Sequence, residues 1–234
     1  MVKKEEDIII ELENVSKVYD MGQNRVKAVD GVSIKVKKGQ FIAIMGPSGS
    51  GKSTAMNLVG SLDSATKGKI FLDGQDISKL GESDLAQIRG KKIGFIFQSF
   101  NLIQNMTAQE NIILPMVFQG FSESERDKKG AELLKLVDLW DRRDHYPNQL
   151  SGGQQQRVAI ARALANDPEV ILADEPTGNL DTKTGEIVMA FLEKLHNKGK
   201  TIIMVTHDPD KTQRHAQIVY WLKDGKLEKV TRKK

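Results

Sequence analysis

The sequence predicts an α/β protein with a mostly parallel sheet, an N-terminal antiparallel β subdomain and an inserted α-helical subdomain. Three observations predict it. Short apolar runs recur at Phe41–Met45, Ile93–Phe97, Val170–Ala173, Ile202–Val205 and Ile218–Leu222, with helix-like stretches between several of them. Strands buried on both faces read as such continuous runs, and their alternation with helices implies parallel crossovers. Near the N-terminus the apolar residues instead alternate with polar ones, and between Ser99 and Gln149 neither rhythm holds.

In chain order, Ile8, Ile10 and Leu12, then Val32, Ile34 and Val36, keep the period of two that marks half-buried antiparallel strands. A Gly-containing turn around Met21–Arg25 joins them. Phe41–Met45 runs into a Gly-rich turn and then a helical stretch. Farther on, Thr107-Ala-Gln-Glu110 and Ser122-Glu-Ser-Glu125 both fit the capping box, in which a hydroxyl and a Glu three places on satisfy each other's free amides. Each precedes an amphipathic run, ending near Gln119 and Val137 respectively. The segment 99–149 is therefore expected to be a mostly helical insertion within one domain spanning 1–234. The charged stretch Glu123–Lys129 reads as a solvated helix face with i,i+4 pairs rather than a docking patch. Internal repeats and Ser-, Pro- or Gly-rich linkers are not visible.

With 234 residues the chain suits one large domain carrying a subdomain. Lys and Arg number 35 against 31 acids, a net charge of +4, and the two signs are interleaved. That pattern describes a solvated surface, not a nucleic-acid strip. Cysteine is absent, which excludes disulfides and Cys-ligated metals and fits a reducing cytoplasm. No apolar run approaches the ~20 residues of a membrane helix. The opening MVKKEEDIII places charges where a signal peptide needs its apolar centre.

Gly46-Pro47-Ser48-Gly49-Ser50-Gly51-Lys52-Ser53, with Thr54 next, fits G-x-x-x-x-G-K-[ST] between a buried strand and a helix. From an average glycine usage of about 7%, a random chain of this size meets the pattern on the order of once in a hundred. Glycines let successive N–H groups point inward, and the following helix adds the positive end of its dipole. Lys52 then reaches the β- and γ-phosphates of a nucleoside triphosphate, and the Ser53 hydroxyl ligates Mg²⁺. Val170-Ile-Leu-Ala-Asp174-Glu175 is a buried strand ending in two acids. Such a pair could merely cap the next helix. With Lys52 present, Asp174 is expected near Mg²⁺ and Glu175 is placed to polarise an attacking water.

Leu150-Ser151-Gly152-Gly153-Gln154 opens a strongly helical segment. Ser151 is a natural N-cap and the glycines leave the helix amides unshielded, a second anion-binding helix start that would serve a neighbouring molecule. With LSGGQ in place, nearly the whole chain resembles the ATP-binding-cassette ATPase family. The resemblance implies that ATP is the nucleotide. It implies that Tyr19 stacks on adenine, against the alternative of a core tyrosine at a strand end. Gln98 resembles the glutamine that senses Mg²⁺ and links the helical insertion to the core. Asn179-Leu180-Asp181 resembles the loop crossing the dimer interface, although Asp181 could equally be the N-cap of a helix Thr182–His196. His207 resembles the histidine that contacts the γ-phosphate.

The family further implies a head-to-tail homodimer enclosing two ATP molecules, separate transmembrane permease subunits, and a cytoplasmic position on the inner face of the membrane. The docking surface would be the insertion, particularly Ser99–Met106. Met21-Gly22, Phe97-Gln-Ser-Phe-Asn-Leu102 and Leu150-Ser-Gly-Gly-Gln-Gln-Gln-Arg157 together resemble the lipoprotein-release and macrolide-export type. An importer ATPase is the nearest alternative. DNA- or ribosome-directed relatives would need coiled-coil heptads or a second cassette, and the sequence shows neither.

Overall fold

The computed structural model describes residues 7–22 and 24–233. The expectation for the first six residues and the Gln23 position of the first turn lie outside the described residues. Strands β1 (Ile8–Met21) and β2 (Asn24–Lys37) form a long antiparallel pair, turning at Gly22 with φ 77°. The strict alternation expected at the start of β1 is interrupted. A register shift between Ile8 and Ile10 leaves Ile9 and Ile10 both buried and Ile8 only half-buried. A bulge adds one residue against the partner strand, so the buried face moves by one position. In β2 the expected Val32, Ile34 and Val36 are all buried.

Next come β3 (Phe41–Met45), α1 (Lys52–Val59), β4 (Lys67–Leu72) and β5 (Gln75–Asp76). They are followed by α2 (Glu82–Lys92), β6 (Ile93–Ile96), α3 (Ala108–Phe118) and α4 (Glu123–Leu136). The remainder is α5 (Gly152–Ala163), β7 (Val170–Asp174), α6 (Thr182–Asn197), β8 (Thr201–Val205), α7 (Pro209–His215), β9 (Ile218–Lys223) and β10 (Lys226–Arg232). An N-terminal sheet runs β2-β1-β4-β5 and is antiparallel throughout; a second runs β10-β9-β3-β8-β7-β6. In the second sheet every pairing is parallel except that of β10 with β9.

Both faces of the second sheet are covered, which is why its strands read as unbroken apolar runs. On one face Ala43, Met45, Ile96, Ala173 and Met204 join a core with Ile112, Val158 and Leu192 of the helices. On the other, Ile42, Ile44, Leu172, Ile203 and Val205 join Leu12, Ile34 and Leu72 of the first sheet and Leu58 of α1. Helices α3 and α4 begin with full capping boxes at Thr107/Glu110 and Ser122/Glu125, and end at the C-caps Gln119 and Val137. Ahead of α3 the chain is knitted by one buried side chain. Asn111 donates to the carbonyls of Ile103, Met106 and Thr107, each at 3.0 Å, and accepts from the Ile103 N–H at 2.8 Å. Among the described residues no helix is long and apolar enough to cross a membrane.

Candidate nucleotide site

Because β3, β7 and β8 are parallel, their C-terminal ends share one edge, where a doubly covered sheet binds its ligand. From β3 the chain passes through Gly46–Gly51 into α1. Two of these glycines are imposed by neighbouring backbone. A Cβ on Gly46 would lie 2.1 Å from the Leu222 carbonyl oxygen, and one on Gly51 would lie 2.2 Å from that of Ala28. Gly51 also holds φ 93° as the N-cap of α1, and no side chain caps that helix. Its first amides are therefore left for an anion. Lys52 is buried, and its Nζ donates to the Pro47 carbonyl at 2.7 Å. The Ser50 hydroxyl is buried without a partner.

Asp174 closes β7. Burial pushes its carboxyl above the usual carboxylate range, the neighbouring Glu175 adds to the rise, and Lys52 opposes it. Glu175 sits at φ 43°, and its N–H donates to the Val205 carbonyl at 2.9 Å. Its Oε1 lies 2.7 Å from His207 Nδ1, and its Oε2 accepts from the Thr206 hydroxyl at 3.4 Å. One open cleft of about 800 Å³ brings Ser48, Gly49, Gly51, Lys52, Ser53 and Thr54 together with Gln98, Asp174, Glu175 and His207. Two parts of its wall were not anticipated: Val26–Ala28 from β2 and Asp224-Gly225 between β9 and β10. The second carries an Asp-Gly turn signature that could have flagged it.

Gln98 and Asn179 clasp each other. The Asn179 amide donates to the Gln98 carbonyl at 2.9 Å, and the Gln98 amide donates back to Asn179 Oδ1 at 3.4 Å. Gly178 allows the approach, since a Cβ there would lie 2.8 Å from Gln98 Nε2.

Tyr19, Ser151–Gln154 and Asp181 do not line the cleft. The Tyr19 hydroxyl donates to Asp63 Oδ2 at 2.8 Å, and burial, then the Asp63 contact, pushes its phenol up. Ser151 forms a capping box with Gln154 at the start of α5. A Cβ on Gly153 would lie 2.5 Å from Thr184 Cγ2 of α6, whereas one on Gly152 would meet ordinary contacts at 3.8 Å or more. Asp181 caps α6, accepting from the Thr184 N–H at 3.0 Å and its hydroxyl at 2.6 Å. It faces a separate groove shared with Thr177 and Lys211.

Among the described residues no group of three or more His, Cys, Asp or Glu side chains could hold a metal ion. A divalent ion beside Ser53 and Asp174 would thus take most of its ligands from phosphate and water, the mode that suits Mg²⁺. The oxygen donors lining the cleft fit it.

The buried strand, glycine turn and uncapped helix, beside a strand ending in carboxylates, define a P-loop nucleoside triphosphatase core. The family model described as ABC transporter matches residues 29–178. This chain belongs to the ABC transporter family, as one of its ATPases. It is 53% identical over 225 residues to an ABC transporter ATP-binding protein of Thermotoga maritima, covering 96% of each. It is 50% identical to the macrolide export ATP-binding/permease protein MacB of Hyphomonas neptunium, covering 94% of this chain and 34% of that one. Among solved structures, the ATP-binding cassette MJ0796, a dimer in a post-hydrolysis state bound to ADP and Pi, superposes with a TM-score of 0.88. That cassette is 48% identical, over 95% of this chain and 98% of its own. The family resemblance and the fold class expected from the sequence are both met.

Proposed function

We propose that this chain is the ATP-hydrolysing subunit of an export or lipoprotein-release transporter, working as a head-to-tail homodimer around two Mg-ATP on the cytoplasmic face of a membrane. One observation carries the reading. The uncapped start of α1 lies in the cleft with Lys52, Glu175 and His207, while the Ser151 start of α5 lies outside it. If both serve nucleotide phosphates, the second does so for another copy of the chain. A symmetric pair is the simplest closed arrangement of that complementarity. The dimeric state of the MJ0796 cassette supports it.

In this reading the amides of Gly46–Thr54 and the Lys52 ammonium hold the β- and γ-phosphates, and Tyr19 packs on the adenine. Mg²⁺, held by Ser53, Asp174 and Gln98, would neutralise phosphate charge. Glu175 takes a proton from water attacking in line, and His207 donates to the γ-phosphate as charge develops there. Each LSGGQ, with the Asp181 loop, closes over the partner's nucleotide. The whole of 1–234 is one domain, with 99–149 as its helical subdomain and permease-docking surface. The fused permease of the MacB relative supports a membrane partner. So does an apolar groove of about 580 Å³ beside α3, lined by Phe95, Phe97, Leu114 and the exposed Phe118.

Lys52→Ala and Ser151→Arg separate the two helix starts. Lys52→Ala is expected to weaken binding of a non-hydrolysable ATP analogue to the monomer, because a charged phosphate contact is lost. Ser151→Arg should leave that binding nearly normal but block ATP-driven dimerisation and hydrolysis. Calorimetric titration at low protein concentration and sedimentation measure the two quantities. Loss of monomer binding in folded Ser151→Arg would place LSGGQ in cis and sink the head-to-tail arrangement.

A further inference from the structure

Behind the cleft, one cation ties the Glu175 turn to the His207 loop. Lys211 stands in the first turn of α7, where its Nζ donates to the Thr177 hydroxyl at 2.8 Å and pairs with Asp208 Oδ2 at 3.0 Å. Asp208 Oδ1 accepts the N–H groups of Asp210 at 3.0 Å and Lys211 at 3.1 Å. The Asp208 N–H donates to the Thr206 hydroxyl at 3.1 Å, and that hydroxyl faces Glu175 Oε2. Thr177 belongs to the turn closed by the Gly178 N–H on the Glu175 carbonyl at 2.9 Å. The polar contacts thus form a closed circuit through Glu175, Thr177, Lys211, Asp208 and Thr206.

The i,i+3 pair with Asp208 supports the helix, but the helix dipole does not favour Lys211, and the Thr177 contact lies outside the helix altogether. A cation in the first turn faces the positive end of the helix dipole, the unfavourable end. Meanwhile Glu175 holds φ 43°, a conformation that costs a non-glycine residue free energy and persists only where its surroundings enforce it. Lys211 lines the neighbouring groove rather than the nucleotide cleft. It can therefore reach the reaction only through the residues it holds.

We propose that Lys211 is a positioning residue for ATP hydrolysis, clamping Thr177 to the loop that carries His207 so that Glu175 and His207 keep their mutual placement. This rests on the roles given above to Glu175 and His207. Removing the clamp lets the turn relax without touching the phosphate contacts. Turnover falls while nucleotide affinity holds.

Steady-state kinetics on the full chain test this with Lys211→Met, Lys211→Arg and Thr177→Val. Lys211→Met is expected to lower kcat about tenfold with the KM for ATP little changed, since the contacts to Thr177 and Asp208 are both lost away from substrate. Lys211→Arg should restore most of kcat. Thr177→Val should lower it in the same way, and adding it to Lys211→Met should change little more, because the Lys211–Thr177 contact it removes is already gone there. Wild-type kcat in Lys211→Met, a raised KM alone, or additive effects of the pair would each overturn the proposal. Glu175→Gln and His207→Ala run in parallel separate the two levels. If they keep full turnover, the reading of the cleft fails; if they lose it while Lys211→Met does not, the clamp alone is wrong.

Discussion

His207 Nδ1 and Glu175 Oε1 stand 2.7 Å apart, with the histidine side chain 73% exposed and the glutamate side chain 16% exposed. Two groups given different tasks in the proposed mechanism are thus in direct contact: Glu175, proposed to activate water, is held in part by His207, proposed to meet the phosphate. Removing either therefore disturbs both. Glu175→Gln and His207→Ala are each expected to lower kcat on the order of a hundredfold or more, with little change in KM. The double variant should be no slower than the worse single one. Single-turnover kinetics on the three variants decide it, and multiplication of the single effects would mean that the residues act independently.

Asp174 joins activity and stability with opposite signs. Burial, reinforced by Glu175, raises its pKa in the folded chain. A raised carboxyl contributes stability below the unfolded value of about 3.9, and that contribution is lost as pH rises through the folded value. At neutral pH the ionised group weighs against the fold. Asp174→Asn should abolish hydrolysis yet raise the unfolding midpoint by about 1–3 °C at neutral pH. Calorimetric scans at neutral and acid pH check this; the gain should vanish once the carboxyl is protonated. A lower midpoint at neutral pH would show that Asp174 supports the fold.

Asn111, a buried residue of α3, ties down the stretch before that helix, serving three carbonyls and one N–H. Asn111→Leu keeps the bulk but strands those groups. It is expected to cost about 2–4 kcal/mol of stability, because unsatisfied buried polar groups bear their full desolvation penalty. Urea titration gives the value. A loss below about 0.5 kcal/mol would mean that the loop finds other partners.

Much of this architecture was legible in the sequence where a single local rule governs it. Phe41–Met45 and Val170–Ala173 are continuous because both faces of their sheet are covered. Thr107 and Ser122 announce their helices through side chains three residues away. Ser151 and Gln154 follow the same spacing, so that their capping box was readable too. Other elements had no such rule. Helix α2 buries only Leu85 and so shows no apolar stripe. Strand β10 is a largely exposed, lysine-bearing edge whose pairing is set by β9. In the site, the helix-start position of Lys52 and the strand-end positions of Asp174, Glu175 and His207 could be read from their motifs. The part of the wall made by Ala28 could not, because it depends on a contact between β2 and the distant turn before β10, the Asp30 N–H on the Gly225 carbonyl at 2.8 Å. Asn179 was readable only as part of a loop resembling the family's interface crossing; its grip on Gln98 needed the third dimension.

The bare start of α1 has a thermodynamic consequence. Helices α3, α4, α5 and α6 each receive a side-chain cap from their own sequence, whereas α1 at Gly51 and α2 at Gly81 have none, and of these two Gly51 lines the cleft. In the proposed reading, the phosphates of the nucleotide complete that helix. Binding and folding are then the same interaction counted from two sides, so every increment of ATP affinity is also an increment of resistance to unfolding. A cell holding millimolar nucleotide would keep such a chain sturdier than purification in plain buffer suggests.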